Sequence, residues 1–365
     1  MAEAHEDLVS RLRREAGRSV LRARNGIRVA SGSSRPRVGA TPKDVVWRRD
    51  RAELWRYRGG TIRHHPPVVF VHSLVSRSYI MDLRPGSSTV EFLLDQGFDV
   101  SMLDWGVPDE RDADNTIETY VDEYLPGALE ALRRETGSEE VTLAGYCLGG
   151  TFAILYAAGR GEATVRNLVL LASPVDYSEM GVMVAAVLDG RLDPEELVDE
   201  TGNVPGDALY AAFFMQAPTT EIARYATLLE NLWNDEFVEA WQAMAQWSRE
   251  QVPFPGAALR QVVEQLVRRN VLMSGRMRLN GRELDFANVR GNVLNAVAER
   301  DKVVPLAAAE PAGRLVGDPA RREELRLPGG HVTFFAGRHA FRHTLPALTK
   351  WLVAHSDELD PPEER

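Results

Sequence analysis

The residues able to do chemistry in this 365-residue chain begin with its one cysteine, Cys147. It stands in Gly145-Tyr146-Cys147-Leu148-Gly149, with strand-forming residues 141–144 before it and Gly150 and a helical stretch after it. A glycine two residues to either side of a nucleophile marks a tight strand-to-helix turn, in which the nucleophile's backbone is strained and a side chain at either glycine would strike the neighbouring strand or helix. The turn also sets the thiol at a helix N-terminus, where the macrodipole and free N–H groups favour thiolate over thiol. A lone cysteine is more often a small apolar core residue; here the paired glycines and the strand-helix context select the nucleophile.

A base and its orienting acid are expected in the order nucleophile, acid, histidine, each at the C-terminal end of a later strand. Of the eight histidines only His331 lies in a glycine-rich loop, "PGGH", after a late strand. His64 and His65 precede the first clear strand, and His339, His343 and His355 read as parts of the last helix. Asp301, in "AVAERDKVVP", is the acid candidate, with Glu299 as an alternative and a plain helix cap near Val304 as the structural reading. An oxyanion hole would use the N–H of Leu148 and one from the loop in "FVHSLVSR", with Leu74 first and Ser73 or Val75 a small shift away. His72, in the same loop, reads as structural.

These residues need a scaffold, and the pattern supplies one. Short β-rich runs at 66–73, 98–104, 140–145 and 167–173 alternate with helical stretches at 88–96, 117–135 and 150–159, the rhythm of a doubly wound parallel sheet. Strand-like runs then stop until 291–301 and 323–331, and the roughly 115 intervening residues are too long for a loop and carry helical periodicity. The division expected is an N-terminal segment over 1–65, a core over 66–175 and 286–355, a helical cap over 176–285 and a polar tail over 356–365. Within the first segment "DVVWRRDRAELWRYRG" reads as a hairpin or edge strands.

With 53 acidic and 43 basic residues the formal net charge is −10, which argues against a general nucleic-acid binder. A single cysteine excludes an internal disulfide or a thiolate-rich zinc site and suits a reducing compartment. The N-terminal "MAEAHEDLVSRLRREAG" has no apolar run, and no segment approaches the roughly 18 apolar residues of a membrane span, so neither secretion nor membrane insertion is expected. Residues 11–37 form a basic arm with Glu15 as the one acid, read as a solvated helix and loop or as a surface for an anionic partner.

Beyond these patterns, the chain resembles the polyhydroxyalkanoate synthases of the α/β-hydrolase superfamily, most closely the short catalytic subunit of the two-component, class III type. The resemblance is carried by "LRARNGIRVASG", "GATPKDVVWRRDRAELWRY", "LVSRSYIMDLRPGSSTVEFLLDQGFDVSMLDWGVPD", "GYCLGG", "NVLNAVAERDKVVP" and "PGGHVTFFAGR". It implies an α/β-hydrolase fold with an inserted cap, nucleophile, acid and base at Cys147, Asp301 and His331, and polymerisation of (R)-3-hydroxyacyl-CoA with release of CoA. It further implies no cofactor beyond the CoA of the substrate, a cytoplasmic setting on a polyester granule, a second synthase subunit and a homodimeric or hetero-oligomeric assembly. Thr333 replaces the glycine usual two residues after the histidine, and Leu148 replaces a polar residue after the cysteine. "GYCLGG" equally resembles dienelactone hydrolase, so a Cys-dependent hydrolase or thioesterase, or a granule-bound homologue of low activity, stands as the alternative.

Overall fold

The computed structural model of the protein describes residues 2–32, 35–160, 164–216 and 218–359, with side chains from residue 15 onward except 218–221. At its centre is a nine-stranded sheet. Its strands are β1 (Lys43–Arg49), β2 (Ala52–Tyr57), β3 (His64–Val71), β4 (Phe98–Asp104), β5 (Val141–Tyr146), β6 (Val165–Leu171), β7 (Asn292–Ala298), β8 (Arg322–Leu327) and β9 (Asp357–Glu358). The order is β1-β2-β4-β3-β5-β6-β7-β8, with β9 antiparallel to the start of β3. β3 to β8 are mutually parallel, whereas β1 and β2 form an antiparallel hairpin that joins β4 at the edge.

The parallel strands read as continuous apolar runs because helices cover both faces, and Val68 to Val71, Leu143 and Leu168 to Leu171 are all buried. From β3 the chain crosses to β4 on one side and then to β5 on the other, so the order reverses at β3. That reversal opens a crevice outside the carboxyl ends of β3 and β5, where a doubly wound sheet places its ligand. The loop after β3 carries Ser73, Leu74 and Val75, and the residue after β5 is Cys147.

Several elements depart from the sequence reading for physical reasons. β3 starts at His64, so His64 and His65 are strand residues; His64 pairs with Phe98, and His65 with Asp357 of β9. That pairing takes Asp357 and Glu358 out of the expected polar tail. It rests on backbone hydrogen bonds that side-chain patterning does not display, and Arg166 of β6 clamps Asp357, with Nη2 2.8 Å from Oδ1. Residues 360–365 of that tail lie outside the described residues.

The helix expected at 117–135 opens with a π-helical stretch, Thr119–Tyr124, before α-helix Leu125–Thr136. Pro126 has no N–H for the carbonyl of Asp122, and its ring crowds that carbonyl, so the turn before it widens. Pro346 does the same to Ala340–Thr344 ahead of Leu345–Ala354.

Between β6 and β7 the chain leaves the sheet for helices Val182–Leu188, Gly206–Gln216, Pro218–Asn231, Asp235–Arg249 and Gly256–Gln261. Strands do return inside this stretch, contrary to expectation: Asn203–Val204 pairs with Phe254–Pro255, and Arg276–Leu279 pairs with Arg282–Asp285. Both pairs are too short to generate a two-residue period that stands out from the helical pattern around them. Among the described residues no helix is long and apolar enough to cross a membrane.

Residues 11–31 of the basic arm lie in one helix, Ala2–Ser31, which packs against the cap, and Arg35 and Arg37 lie beyond it. Asn25 is buried and donates through Nδ2 to the Leu232 carbonyl at 2.7 Å and to Asp235 at 2.8 Å, beside a forked Arg24–Asp235 pair of 2.5 and 2.6 Å. Arg18 lies over the Trp233 ring. The side chains of Arg11, Arg13 and Arg14 lie outside the described residues. Because this anchorage is a small polar cluster, the double substitution Arg24→Ala/Asn25→Ala should release the helix. Limited proteolysis should then cut within residues 11–32 well before the global unfolding transition, at a rate above that of the parent.

Candidate active site

Cys147 is the residue between β5 and the helix Leu148–Gly159, with φ 53° and ψ −128°. A non-glycine residue in this region is strained and persists only when its surroundings fix it. They do so here through contact with the flanking glycines. A Cβ on Gly149 would run into the carbonyl oxygens of Val71 and His72 at the end of β3, and one on Gly145 would meet the backbone of Gly149 and Gly150. The Cys147 N–H donates to the Leu171 carbonyl at 3.0 Å, and its own carbonyl accepts from Gly150 N at 2.9 Å. The half-buried thiol is thereby fixed at the head of a helix whose first N–H groups lack intrahelical partners.

His331 follows β8 through Pro328, Gly329 and Gly330 and opens a short helical turn, His331–Phe334. Its Nδ1 is 2.7 Å from Asp301 Oδ2, and the Asp301 side chain is completely buried. The other carboxylate oxygen of Asp301 accepts from the N–H groups of Val303 at 2.8 Å and Val304 at 2.9 Å. Asp301 therefore fulfils both readings of the sequence at once: one oxygen caps a turn, and the turn holds the other toward the imidazole. Glu299, the alternative acid, is exposed, and the carboxylate on His331 is that of Asp301.

Burial alone would lower the His331 pKa. The Asp301 carboxylate, its hydrogen bond and a further hydrogen bond with the Cys147 sulfur outweigh that cost and push it up from 6.5 to about 10. The Asp301 carboxylate thus favours a cationic imidazole at His331. His72 behaves oppositely. It is fully enclosed, burial lowers its pKa to about 4, and its Nε2 lies 2.9 Å from the Ser76 carbonyl, so it is a neutral brace for the loop after β3.

Of the oxyanion candidates, Leu148 is the first residue of the elbow helix. Leu74 directs its buried side chain into the core beneath the sheet. Ser73 and Val75 on either side of it line a cavity of about 420 Å³ that has Cys147 and His331 in its wall. The cap supplies the opposite wall with Tyr210, Phe213 and Phe214 from Gly206–Gln216 and Met244 and Trp247 from Asp235–Arg249. Trp247 Nε1 donates to the Arg77 carbonyl at 2.8 Å, and Val252 N to the Val75 carbonyl at 3.3 Å. On the other side Gln216 Nε2 donates to the Lys302 carbonyl at 2.6 Å. The cap is thus fastened to the loop after β3 and to the loop that carries Asp301.

Two features of the site escaped sequence reasoning. Tyr146 lies inside the elbow motif itself, and its buried ring is 4.8 Å from that of His331, with its hydroxyl 3.3 Å from the His331 carbonyl. Gln216 gives no signal in the sequence, since its role depends on where a cap helix ends. Thr333, flagged only as a departure, donates through Oγ1 to the Gly330 carbonyl at 2.5 Å and packs where a Cβ on Gly329 would lie, so it stiffens the loop before His331.

The parallel sheet with a strained cysteine after β5, a buried aspartate after β7 and a histidine after β8 has the layout of an α/β hydrolase, and a family model described as "alpha/beta hydrolase fold" matches residues 66–337. A putative lipase from Sulfolobus solfataricus shares the fold at a TM-score of 0.54 and 15% identity, over 86% of this chain and 99% of that one. Within that class the chain belongs to the poly(3-hydroxyalkanoate) polymerase family. It is 31% identical to poly(3-hydroxyalkanoate) polymerase subunit PhaC of Allochromatium vinosum over 86% of this chain and 89% of that protein. It is also 32% identical to the subunit PhaC of Haloferax mediterranei over 88% of this chain, spanning 65% of the length of that relative.

Two outcomes follow from this geometry. Gly149→Ala should destabilise the fold by about 1–3 kcal/mol or more in a denaturant titration, because its Cβ meets two backbone carbonyls that cannot turn aside. The stability that His331 adds over a His331→Gln variant depends on a pKa raised by folding. It should be full below about pH 6.5 and fade as pH rises toward about 10, read as converging urea midpoints of the two proteins.

Proposed function

We propose that this chain is a poly(3-hydroxyalkanoate) synthase that polymerises (R)-3-hydroxyacyl-CoA, with Cys147 as nucleophile, His331 as base and acid, and Asp301 as its orienting partner. The observation that carries the reading is a lone strained thiol facing an imidazole held by a buried carboxylate, under an apolar cap, in a chain of the polymerase family.

The Cys147 thiolate attacks the thioester carbonyl, and the developing oxyanion is met by the N–H of Leu148 and one from the loop after β3, Leu74 by the chain order of the fold. Collapse breaks the carbon–sulfur bond to CoA, whose thiolate takes the proton from His331. The acyl group now sits on Cys147 as a thioester, so exchange costs little and activation is kept. His331 then removes the proton of an acceptor 3-hydroxyl as it attacks, and an ester bond forms while Cys147 is freed. Asp301 stabilises the imidazolium in both halves.

The cycle needs no cofactor, since CoA enters and leaves with the substrate. With one thiol per chain, the growing ester is held either on CoA or on Cys147 of another copy. The apolar cap wall limits water, whose attack would end the chain as a free acid. The family setting supports a cytoplasmic enzyme at a polyester granule, working with a second synthase subunit or as a homo-oligomer.

The test is a CoA-release and product assay on (R)-3-hydroxybutyryl-CoA, with and without a candidate partner subunit. Release of CoA with formation of insoluble polyester is expected, whereas release with only free hydroxy acid would assign the chain to hydrolysis. Cys147→Ala should lower turnover by at least about 10³-fold. Cys147→Ser should retain only a small fraction, because a serine alkoxide is harder to form and its oxygen ester is a poorer acyl donor. Near-normal turnover in Cys147→Ala would remove the nucleophile from the scheme.

A further inference from the structure

In a chain of net charge −10, the wall of the active-site cavity contains no Asp or Glu among the described residues, while Arg224, Arg300 and Lys302 all reach it. Arg300 and Lys302 are exposed at its rim and make no ion pair with any described residue. Their position is fixed by the site itself. They flank Asp301, Arg300 N donates to the Gly329 carbonyl at 2.8 Å beside His331, and the Lys302 carbonyl accepts from Gln216 of the cap. Arg224 faces them from the cap, with Nη1 2.9 Å from Ser248 Oγ and the guanidinium 5.4 Å from the centre of the Trp241 ring.

The chemistry of the reacting centre does not call for these cations. Thioester exchange and hydroxyl attack use Cys147, His331 and Asp301, and an apolar acyl chain gains nothing from guanidinium or ammonium groups. A cluster of positive charge at the open end of an apolar cavity, in a protein of net charge −10, selects an anion whose other end is apolar.

We propose that Arg300 and Lys302 form a phosphate-binding rim for the nucleotide end of the acyl-CoA, holding it outside the cavity while the acyl thioester reaches Cys147. This rests on the acyl-CoA reading of the site. The arrangement couples recognition to chemistry by connectivity, because the same loop that presents both cations also carries the carboxylate that orients His331. It also separates the two thioester substrates of one cycle. The incoming monomer carries the phosphates and engages the rim, whereas the acyl-enzyme on Cys147 has lost them with CoA.

The test compares the parent with Arg300→Glu/Lys302→Glu on two thioesters of the same (R)-3-hydroxyacyl group, one on CoA and one on pantetheine, which lacks every phosphate of CoA. The ratio of kcat/KM for the CoA ester to that for the pantetheine ester should fall at least about tenfold in the variant, through KM on the CoA ester. Added salt should lower that ratio in the parent and leave it flat in the variant. An unchanged ratio would overturn the proposal, including the case where both esters lose equally because the Asp301 loop is disturbed. Calorimetry of free CoA and of pantetheine decides the matter without turnover: the parent should bind CoA more tightly, and the variant should lose that preference. A parent that prefers CoA yet polymerises neither ester would sustain the phosphate rim and count against the polymerase reading.

Discussion

The strained backbone at Cys147 is the constraint on which the other parts depend. Its positive φ is sustained because the helix that follows is packed so closely on β3 and β5 that glycine alone fits at two neighbouring positions. This packing aims the thiol out of the sheet at the point where strand order reverses. If the turn relaxed, the sulfur would shift from the cavity wall that it shares with His331. The buried, unbroken parallel strands are the support that absorbs this strain.

Around that point the polar groups form one connected system with little redundancy. Asp301 uses one oxygen to hold its own loop and the other to hold His331, and His331 shares the cavity wall with Cys147. Thr333 tightens the loop on the far side of the imidazole. His72 and Tyr146 fill the space behind, one kept neutral by burial and the other with a ring that packs against His331. His72 and Tyr146 thus act on the site through shape.

The cap is joined to this system at two loops and therefore does more than cover it. The helix Asp235–Arg249 is tied to the loop after β3 through Trp247, and Gly206–Gln216 is tied to the Asp301 loop through Gln216. Movement of either helix would be felt by the loop after β3 or by the loop whose Asp301 holds His331. The basic N-terminal helix braces the start of Asp235–Arg249 from outside, so its anchorage on Asp235 extends the same chain of contacts to the surface.

Much of this was legible in the residues alone. Glycine spacing around Cys147, the late "PGGH" and an aspartate just past a strand are local signals, because each reports a steric or hydrogen-bonding demand met within a few residues of chain. The apolar runs of β3 to β7 were legible for the same reason, burial on both faces leaving no alternation to misread. What only the tertiary structure decided lies between distant segments: Asp301 rather than Glu299 turned inward, Gln216 set on the Lys302 carbonyl, β9 paired to β3 and the cations gathered at one rim. Those outcomes depend on which backbone groups and side chains meet across the fold, and a pattern read along one chain carries no term for such a meeting.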